Sequence, residues 1–62
     1  MPIITIEGPP ISNIDTRRTL TENLTRAAAE AYEMPKEKII ILIRENRPDQ
    51  VAVGGELLSD RR

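Results

Sequence analysis

The run Ile39-Ile40-Ile41-Leu42-Ile43 decides the fold of this 62-residue chain. β-Branched residues favour strands, and a strand whose apolar residues are unbroken rather than alternating is normally covered on both faces. The single long helical pattern of the chain can cover only one face of such a strand. The other face must be covered from outside the chain, and a second copy is the simplest candidate.

Upstream of this run lies a second strand pattern. Residues Ile3-Ile4-Thr5-Ile6 are mostly β-branched, and Gly8-Pro9-Pro10 follows them with residues that cannot continue a central strand. We therefore expect a strand over residues 2 to 7.

Between the two strands the sequence predicts one helix with a single buried stripe. The helix should begin at about residue 13 and end near Glu33, because Pro35 disfavours the helical conformation at the residue before it. Its cap is either Ser12, at capping-box spacing from Asp15, or Asn13. The stripe consists of the apolar residues at helical spacing: Leu20, Leu24, Ala27, Ala28 and Ala31.

Residues 51 to 58 predict a short hairpin, with Gly54-Gly55 at the turn. The element order then gives an α+β fold: a β-α-β unit with a parallel two-stranded sheet and a C-terminal β-hairpin, as a single domain over residues 1–62. A ribbon-helix-helix repressor is the rival architecture at this length. That fold needs a second helix and a basic strand face, and the Ile-rich run, the paired glycines and Ile3 to Ile6 argue against both.

The amino-acid composition excludes several kinds of catalytic and metal-binding site. Cys and His are both absent, which excludes disulfides, thiolate nucleophiles, histidine bases and nearly all zinc sites. Carboxylates alone remain for a hard cation such as Mg²⁺ or Ca²⁺, and we expect no metal. A core this small is marginal without disulfides or metals, which again favours self-association.

The charge pattern gives no indication of a nucleic-acid or membrane partner. Nine basic and ten acidic residues are mixed along the chain for a net charge of -1, and Tyr32 is the single aromatic residue. The run 39–43 is too short to cross a bilayer, and the amino terminus lacks the basic and apolar regions of a signal peptide. We expect a cytoplasmic protein.

Two segments and the helix between them carry a family resemblance. The opening Met1-Pro2-Ile3-Ile4-Thr5-Ile6 and the ending Val53-Gly54-Gly55-Glu56-Leu57 resemble the 4-oxalocrotonate tautomerase family, over essentially the whole chain. The resemblance implies a tautomerase fold like that of macrophage migration inhibitory factor, assembled as a homohexamer from three dimers. It also implies active sites at subunit boundaries and catalysis without a cofactor.

The same resemblance implies that Pro2 is the catalytic base once Met1 has been removed. An ordinary α-amino group has a pKa of about 7.7 to 8.0, and an apolar wall or nearby cations would lower it toward working pH. The neutral secondary amine can then move a proton within a small 2-hydroxy-dienoate or related 2-oxo acid. The competing interpretation is that Pro2 is a stiff residue that opens a strand.

The chain departs from the family at its substrate-binding positions. An ungapped alignment places Ser12 and Ile40 where the family carries arginines that bind the substrate carboxylate and polarise its carbonyl, and Val51 where it carries an aromatic wall. The usual dicarboxylate substrate is therefore not expected. Lys38 and Arg44 are candidate substitute cations, since they share strand parity with Ile40 at about 7 and 13 Å along the strand.

Other polar residues near these positions are candidates for substrate contacts, but each also has a purely structural explanation. Arg17, Arg18 and Arg47 are further cations, but exposed arginines are usually solvated or paired, as Arg18 would be with Glu22. The end of the second strand carries Glu45 and Asn46, which would be able to orient a substrate hydroxyl or a water. Residues at that place are more often turn formers.

Two alternatives to an enol-keto tautomerase stay open from the sequence. One is other proline-amine chemistry of the superfamily, namely hydration-type dehalogenation or decarboxylation. The other is a non-catalytic oligomeric binding module, which the missing arginines favour and the retained Pro2 opposes.

Overall fold

The computed structural model describes residues 1–61, which form a β-α-β unit followed by a hairpin. The α+β class and the element order predicted from the sequence are confirmed. The elements are β1 (Ile3–Gly8), α1 (Ile14–Tyr32), β2 (Ile40–Glu45), β3 (Ala52–Val53) and β4 (Glu56–Leu57), with 3₁₀ turns at Lys36–Lys38, Pro48–Gln50 and Leu58–Asp60. The bounds of β1 and β2 are shifted from the predicted ones: β1 starts after Pro2 and includes Gly8, which pairs with Glu45 instead of ending the strand. Strand β2 starts after Ile39 and continues to Glu45.

Strands β1 and β2 pair in parallel, as the crossover predicts. Ile3 is the partner of Ile40, and the register runs to Gly8 opposite Glu45. Even-numbered residues of β1 and odd-numbered residues of β2 therefore share the half-buried face that α1 covers. The four isoleucines on this face are Ile4, Ile6, Ile41 and Ile43.

Helix α1 is capped by Asn13 and by Glu33, the residue near which the sequence predicts its end. The capping box of Ser12 is not formed: the side chain of Asn13 accepts the amides of Asp15 at 2.8 Å and Thr16 at 3.4 Å. At the other end Glu33 takes a left-handed conformation with φ of 52°. Arg18 pairs with Asp15 at 2.9 Å, so the expected pair with Glu22 is wrong.

The predicted buried stripe of α1 is only half correct. Leu20 and Leu24 are half-buried and Ala28 is buried, but Ala27 and Ala31 are exposed. Thr21, Thr25 and Ala29 are half-buried in their place. The buried face of α1 is therefore rotated toward Thr21 and Thr25. The C-terminal end of the helix, which carries Ala31, extends past the short sheet and is not covered by it.

The outer face of the sheet has no cover within the subunit. Ile3 is 57% exposed and Leu42 is 45% exposed, although both belong to strands of the central sheet. Among residues 1–61 only Ala28 is classed as buried. The run Ile39 to Ile43 predicts a strand that is covered on both faces, but within one subunit only the face toward α1 is covered.

The shape of the subunit agrees with an incomplete core. Its radius of gyration is 15.0 Å and its extents are 44 × 25 × 13 Å. A compact chain of this length would have a radius of gyration of about 11 Å. No helix within residues 1–61 has the length and apolar character needed to cross a membrane.

The C-terminal hairpin forms where the glycine pair predicts it. Ala52 pairs with Leu57 and Val53 with Glu56, across a two-residue turn. Gly54 and Gly55 have φ of 62° and 83°, and positive φ at both central positions is the requirement of a type I′ turn. The hairpin does not join the β1–β2 sheet; it projects exposed Val53 and Leu57 from the subunit.

Candidate active site

Pro2 lies at the edge of the sheet where both strands begin. It is half-buried, and its carbonyl oxygen accepts the amide of Ile40 at 3.1 Å. Met1, by contrast, is 82% exposed. The bond that holds Pro2 in register therefore uses its carbonyl group and leaves its nitrogen, the candidate base, at the open end of the strand.

Ile40 and Lys38 lie at this same edge, but only Ile40 belongs to β2. Lys38 ends the 3₁₀ turn Lys36–Lys38, and its amide donates to the Pro35 carbonyl at 3.0 Å. The strand parity and the 7 Å spacing expected for Lys38 are therefore wrong, because the backbone before Ile40 is curled rather than extended. Lys38 remains two residues from the partner of the Pro2 carbonyl.

The opposite end of the sheet forms one wall of a cleft of about 620 Å³, here called the hairpin cleft. Its other walls come from the loop after β1 and the segment that leads into the hairpin. The lining residues are Glu7, Gly8, Pro9, Asn46, Pro48, Gln50, Val51, Ala52 and Leu58. Val51, one of the predicted substrate-binding positions, thus lies in a concave surface whose other lining residues are apolar or uncharged polar apart from Glu7.

Arg44 belongs to the hairpin-cleft end of the sheet. It shares the outer face with Ile40, as its parity predicts, and lies opposite Glu7 in the register. Its Nη1 atom is 3.8 Å from Glu7 Oε1, and both side chains are more than half exposed. Glu7 is five residues, or about 17 Å of strand, from Pro2, so one subunit does not bring Arg44 and Pro2 together.

Ser12 is exposed in the loop between β1 and α1, three residues beyond Pro9 of the hairpin cleft. The sequence-predicted site residues therefore fall into two groups. Pro2, Ile40 and Lys38 lie where the strands begin, whereas Ser12, Val51 and Arg44 lie where they end.

A network of hydrogen bonds ties the loop carrying Ser12 to the end of β2. Arg17 Nη2 donates to Glu45 Oε1 at 2.8 Å and to the Ile11 carbonyl at 2.6 Å. Glu45 Oε2 accepts the Ile11 amide at 2.6 Å. The carboxylate of Glu45 is thus already paired, which opposes its assignment as a group that orients substrate, whereas Asn46 beside it lines the hairpin cleft.

Two further findings concern residues outside these groups. A groove of about 620 Å³ runs along the second half of α1, lined by Thr21, Glu22, Thr25, Arg26, Ala29, Glu30, Met34 and Lys36, and includes none of the predicted site residues. Within residues 1–61, no group of three or more metal-ligating side chains is placed to hold a metal ion.

Comparison with known proteins identifies the family. The family model described as tautomerase enzyme matches residues 2–61. The 2-hydroxymuconate tautomerase of Bacillus subtilis is 37% identical over 60 residues, which cover 97% of each chain. The chain belongs to the 4-oxalocrotonate tautomerase family.

Solved structures agree with this assignment. A crystal structure of a 4-oxalocrotonate tautomerase homologue is similar with a TM-score of 0.88 at 29% identity, covering 100% of this chain and 98% of the other. A heterohexamer 4-oxalocrotonate tautomerase from Chloroflexus aurantiacus is similar with a TM-score of 0.85 at 26% identity, covering both chains completely. The family model and the named tautomerase relative make this tautomerase an enzyme of the isomerase class.

Sequence reasoning missed the Arg17–Glu45 pair of this tautomerase as a unit. The two residues are 28 positions apart, and no local pattern links them. A signal was nevertheless present in Pro9-Pro10. Neither proline has an amide hydrogen, so Ile11 is the first residue after Gly8 able to donate a backbone hydrogen bond, and that donor needs an acceptor.

Proposed function

We propose that this tautomerase interconverts the enol and keto forms of a small 2-hydroxy-dienoate or related 2-oxo acid, with the free amine of Pro2 as general base. The neutral amine takes the hydroxyl proton and a proton is returned to a carbon of the conjugated system, by 1,3 or 1,5 transfer. The step is a proton transfer without net oxidation, so no cofactor is required. Removal of Met1 is the prerequisite, because an acylated proline nitrogen has no useful basicity.

The placement of Pro2 is the observation that carries this proposal. Its carbonyl bond to the Ile40 amide does not involve Met1, so loss of the 82% exposed Met1 leaves Pro2 anchored. The pyrrolidine ring restricts φ and hence the direction of the nitrogen lone pair. The half-buried position next to apolar Ile40 disfavours the charged amine, and a neutral amine is the form that acts as base.

We further propose that the functional unit is a homohexamer built as a trimer of dimers. The exposed apolar residues that need cover are Ile3 and Leu42 on the sheet and Val53 and Leu57 on the hairpin. The two groups of site residues lie at opposite ends of one subunit, so a complete site requires Pro2 of one copy to meet the hairpin cleft of another. The heterohexamer from Chloroflexus aurantiacus, with the same fold, supports this arrangement.

For substrate binding we propose Ser12, Ile40 and Val51 as contact positions, with Lys38 and Arg44 as substitute cations. Glu7 is the charged residue that lines the hairpin cleft, where Asn46 and Gln50 supply neutral polar groups. A cleft of this character suits a monoacid or a neutral enol better than a dicarboxylate. Lys38 lies at the end of the sheet that carries Pro2, and Arg44 lies at the end that borders the hairpin cleft. In a site formed between two subunits, each subunit would therefore contribute one of these cations.

The decisive experiment compares protein that retains Met1 with protein that has lost it, each verified by intact mass. We expect both to be folded and equally oligomeric, and only the processed form to turn over a 2-hydroxy-dienoate or phenylenolpyruvate. Equal turnover by the two forms would show that Pro2 is not the base, and the proposed mechanism would have to be abandoned.

A further inference from the structure

The loop between β1 and α1 depends on one ion pair for its attachment to the subunit. Pro9 and Pro10 have no amide hydrogen, so Ile11 is the first residue that can donate. Its amide donates to Glu45 Oε2 and its carbonyl accepts from Arg17 Nη2, both at 2.6 Å. Within residues 1–61, these are the hydrogen bonds that join loop residues 9–12 to the rest of the subunit.

The two side chains also hold each other in place. Arg17 Nη2 lies 2.8 Å from Glu45 Oε1 and 2.9 Å from Oε2, with the side chains 35% and 25% exposed. Charge-assisted bonds of this length are stronger than neutral ones, and partial burial reduces their screening by salt. The pair links the first turns of α1 to the last residue of β2, so the loop between β1 and α1 is attached on both sides.

The attachment point is next to the hairpin cleft. Gly8 and Pro9, which precede Ile11, line the cleft, and so does Asn46, which follows Glu45. The Asn46 amide donates to the Gly8 carbonyl at 2.9 Å and extends the pairing of β1 with β2 to the cleft wall. A shift of Ile11 would therefore move Pro9 and Ser12 relative to Asn46 and Val51.

The guanidinium group of Arg17 makes these contacts while one of its own donors, Nε, stays without a partner. Arg17 Nε is buried and has no hydrogen-bond partner. Unpartnered buried donors are rare, so the orientation of this side chain is set by Ile11 and Glu45 rather than by full pairing of its five donors.

We propose that Arg17 and Glu45 are positioning residues of the tautomerase site, which hold loop residues 9–12 against the hairpin cleft, where Pro9 forms part of the substrate-facing wall. The inference rests on the proposed function, because it assigns the cleft to the substrate. Neither residue takes part in the proton transfer. Their loss should weaken substrate binding and leave the chemistry at Pro2 unchanged.

Variants Arg17→Met and Glu45→Gln test this assignment in the processed enzyme. We expect KM for a 2-hydroxy-dienoate to rise about tenfold or more, because a displaced loop misplaces the wall of the cleft, with kcat and the pH dependence of kcat as in the wild type. Arg17→Lys keeps the charge and should restore part of the loss. Arg18→Met, which removes an exposed arginine paired with Asp15, is the matched control and should behave as wild type.

Two measurements independent of turnover complete the test: hydrogen exchange of the Ile11 amide, and the dissociation constant of a small 2-oxo acid. Both should increase in Arg17→Met and Glu45→Gln and stay unchanged in Arg18→Met. If the proposed function is wrong and the processed wild type does not turn over the 2-hydroxy-dienoate, these two readouts still report on the loop. Faster Ile11 exchange with affinity and KM within twofold of wild type would make the pair purely structural and overturn the proposal. Should Arg17→Met fail to fold, Glu45→Gln and Arg17→Lys decide the same question.

Discussion

The carbonyl oxygen of Pro2 accepts the amide of Ile40 at 3.1 Å, so the first hydrogen bond of the parallel sheet is made by the residue proposed as the base. The anchor and the reactive atom are different groups of the same residue. The hydrogen bond that fixes Pro2 in the sheet therefore leaves the lone pair of its nitrogen free to accept a proton.

Replacing Pro2 by Ala should reduce kcat without unfolding the protein, provided that Met1 is still removed. The primary amine of alanine remains basic and the carbonyl bond to Ile40 remains, but the ring that restricts the lone pair is lost. We expect weak residual turnover whose rate rises with pH as the amine loses its proton, as in the wild type. Steady-state kinetics on mass-verified protein would check this, and wild-type turnover by Pro2→Ala would contradict the need for the ring.

Self-association should be visible directly in solution. Six chains of 7.0 kDa give about 42 kDa, which light scattering distinguishes from a monomer or dimer. Placing a charge on the uncovered sheet face with Leu42→Asp should dissociate or destabilise the assembly, since burial of a leucine contributes about 1.5 to 3 kcal/mol and a buried unpaired charge opposes it. Asn23→Asp, at an exposed position of α1, is the control. A folded monomeric wild type at micromolar concentration would remove the basis for a shared site.

Residue patterns predicted those parts of the fold that depend on local preferences. The β-branched runs give β1 and β2, and the paired glycines give the turn, because each pattern favours one backbone conformation by itself. The choice between Ser12 and Asn13 as helix cap was left open because both residue types cap well. Helical spacing does not tell which way the covered face is turned, which explains the exposure of Ala27 beside buried Ala28. Nor does it tell where a short sheet stops covering the helix, which explains the exposure of Ala31.

The candidate site was predictable only in part, because its arrangement depends on tertiary contacts rather than on local preferences. The family alignment indicated Pro2 and Val51, and the structure shows what surrounds each of them. The separation of the two groups of site residues follows from the register of the sheet, which no local pattern encodes. The Arg17–Glu45 pair likewise joins residues 28 positions apart and needs the tertiary fold to be seen.

The hairpin turn offers a stability test with a matched control. A Cβ at Gly55 would have no atom within 4 Å, but the φ of 83° is unfavourable for any L side chain. Gly55→Ala should therefore lower the free energy of unfolding by about 1 to 2 kcal/mol through backbone strain alone. Gly8→Ala also meets open space and has no such φ, so it should be neutral in denaturant titrations. Equal losses in both variants would contradict the assignment to φ.

Substrate preference should follow the loss of the family arginines at Ser12 and Ile40. A dicarboxylate such as 2-hydroxymuconate would lack two charge-assisted contacts, each of about 1.5 to 3 kcal/mol. We therefore expect kcat/KM to be lower for the dicarboxylate than for a monoacid dienol or a neutral enol, measured by ultraviolet kinetics. A strong preference for the dicarboxylate would mean that other cations have taken over both roles.

The identity of those cations can be tested at Lys38 and Arg44. The Arg44–Glu7 pair is long and exposed, and such pairs contribute about 0 to 1 kcal/mol, so Arg44 can be redirected to a carboxylate at little cost. Lys38→Met and Arg44→Met should each raise KM for a monoacid by about tenfold and leave KM for a neutral enol unchanged, because only the acid loses a charge-assisted contact. Lys36→Met is the matched control, since Lys36 belongs to the same 3₁₀ turn as Lys38 but lines the groove along α1. If the neutral enol is affected as strongly as the acid, or if Lys36→Met has the same effect, the two residues do not act as substrate-binding cations.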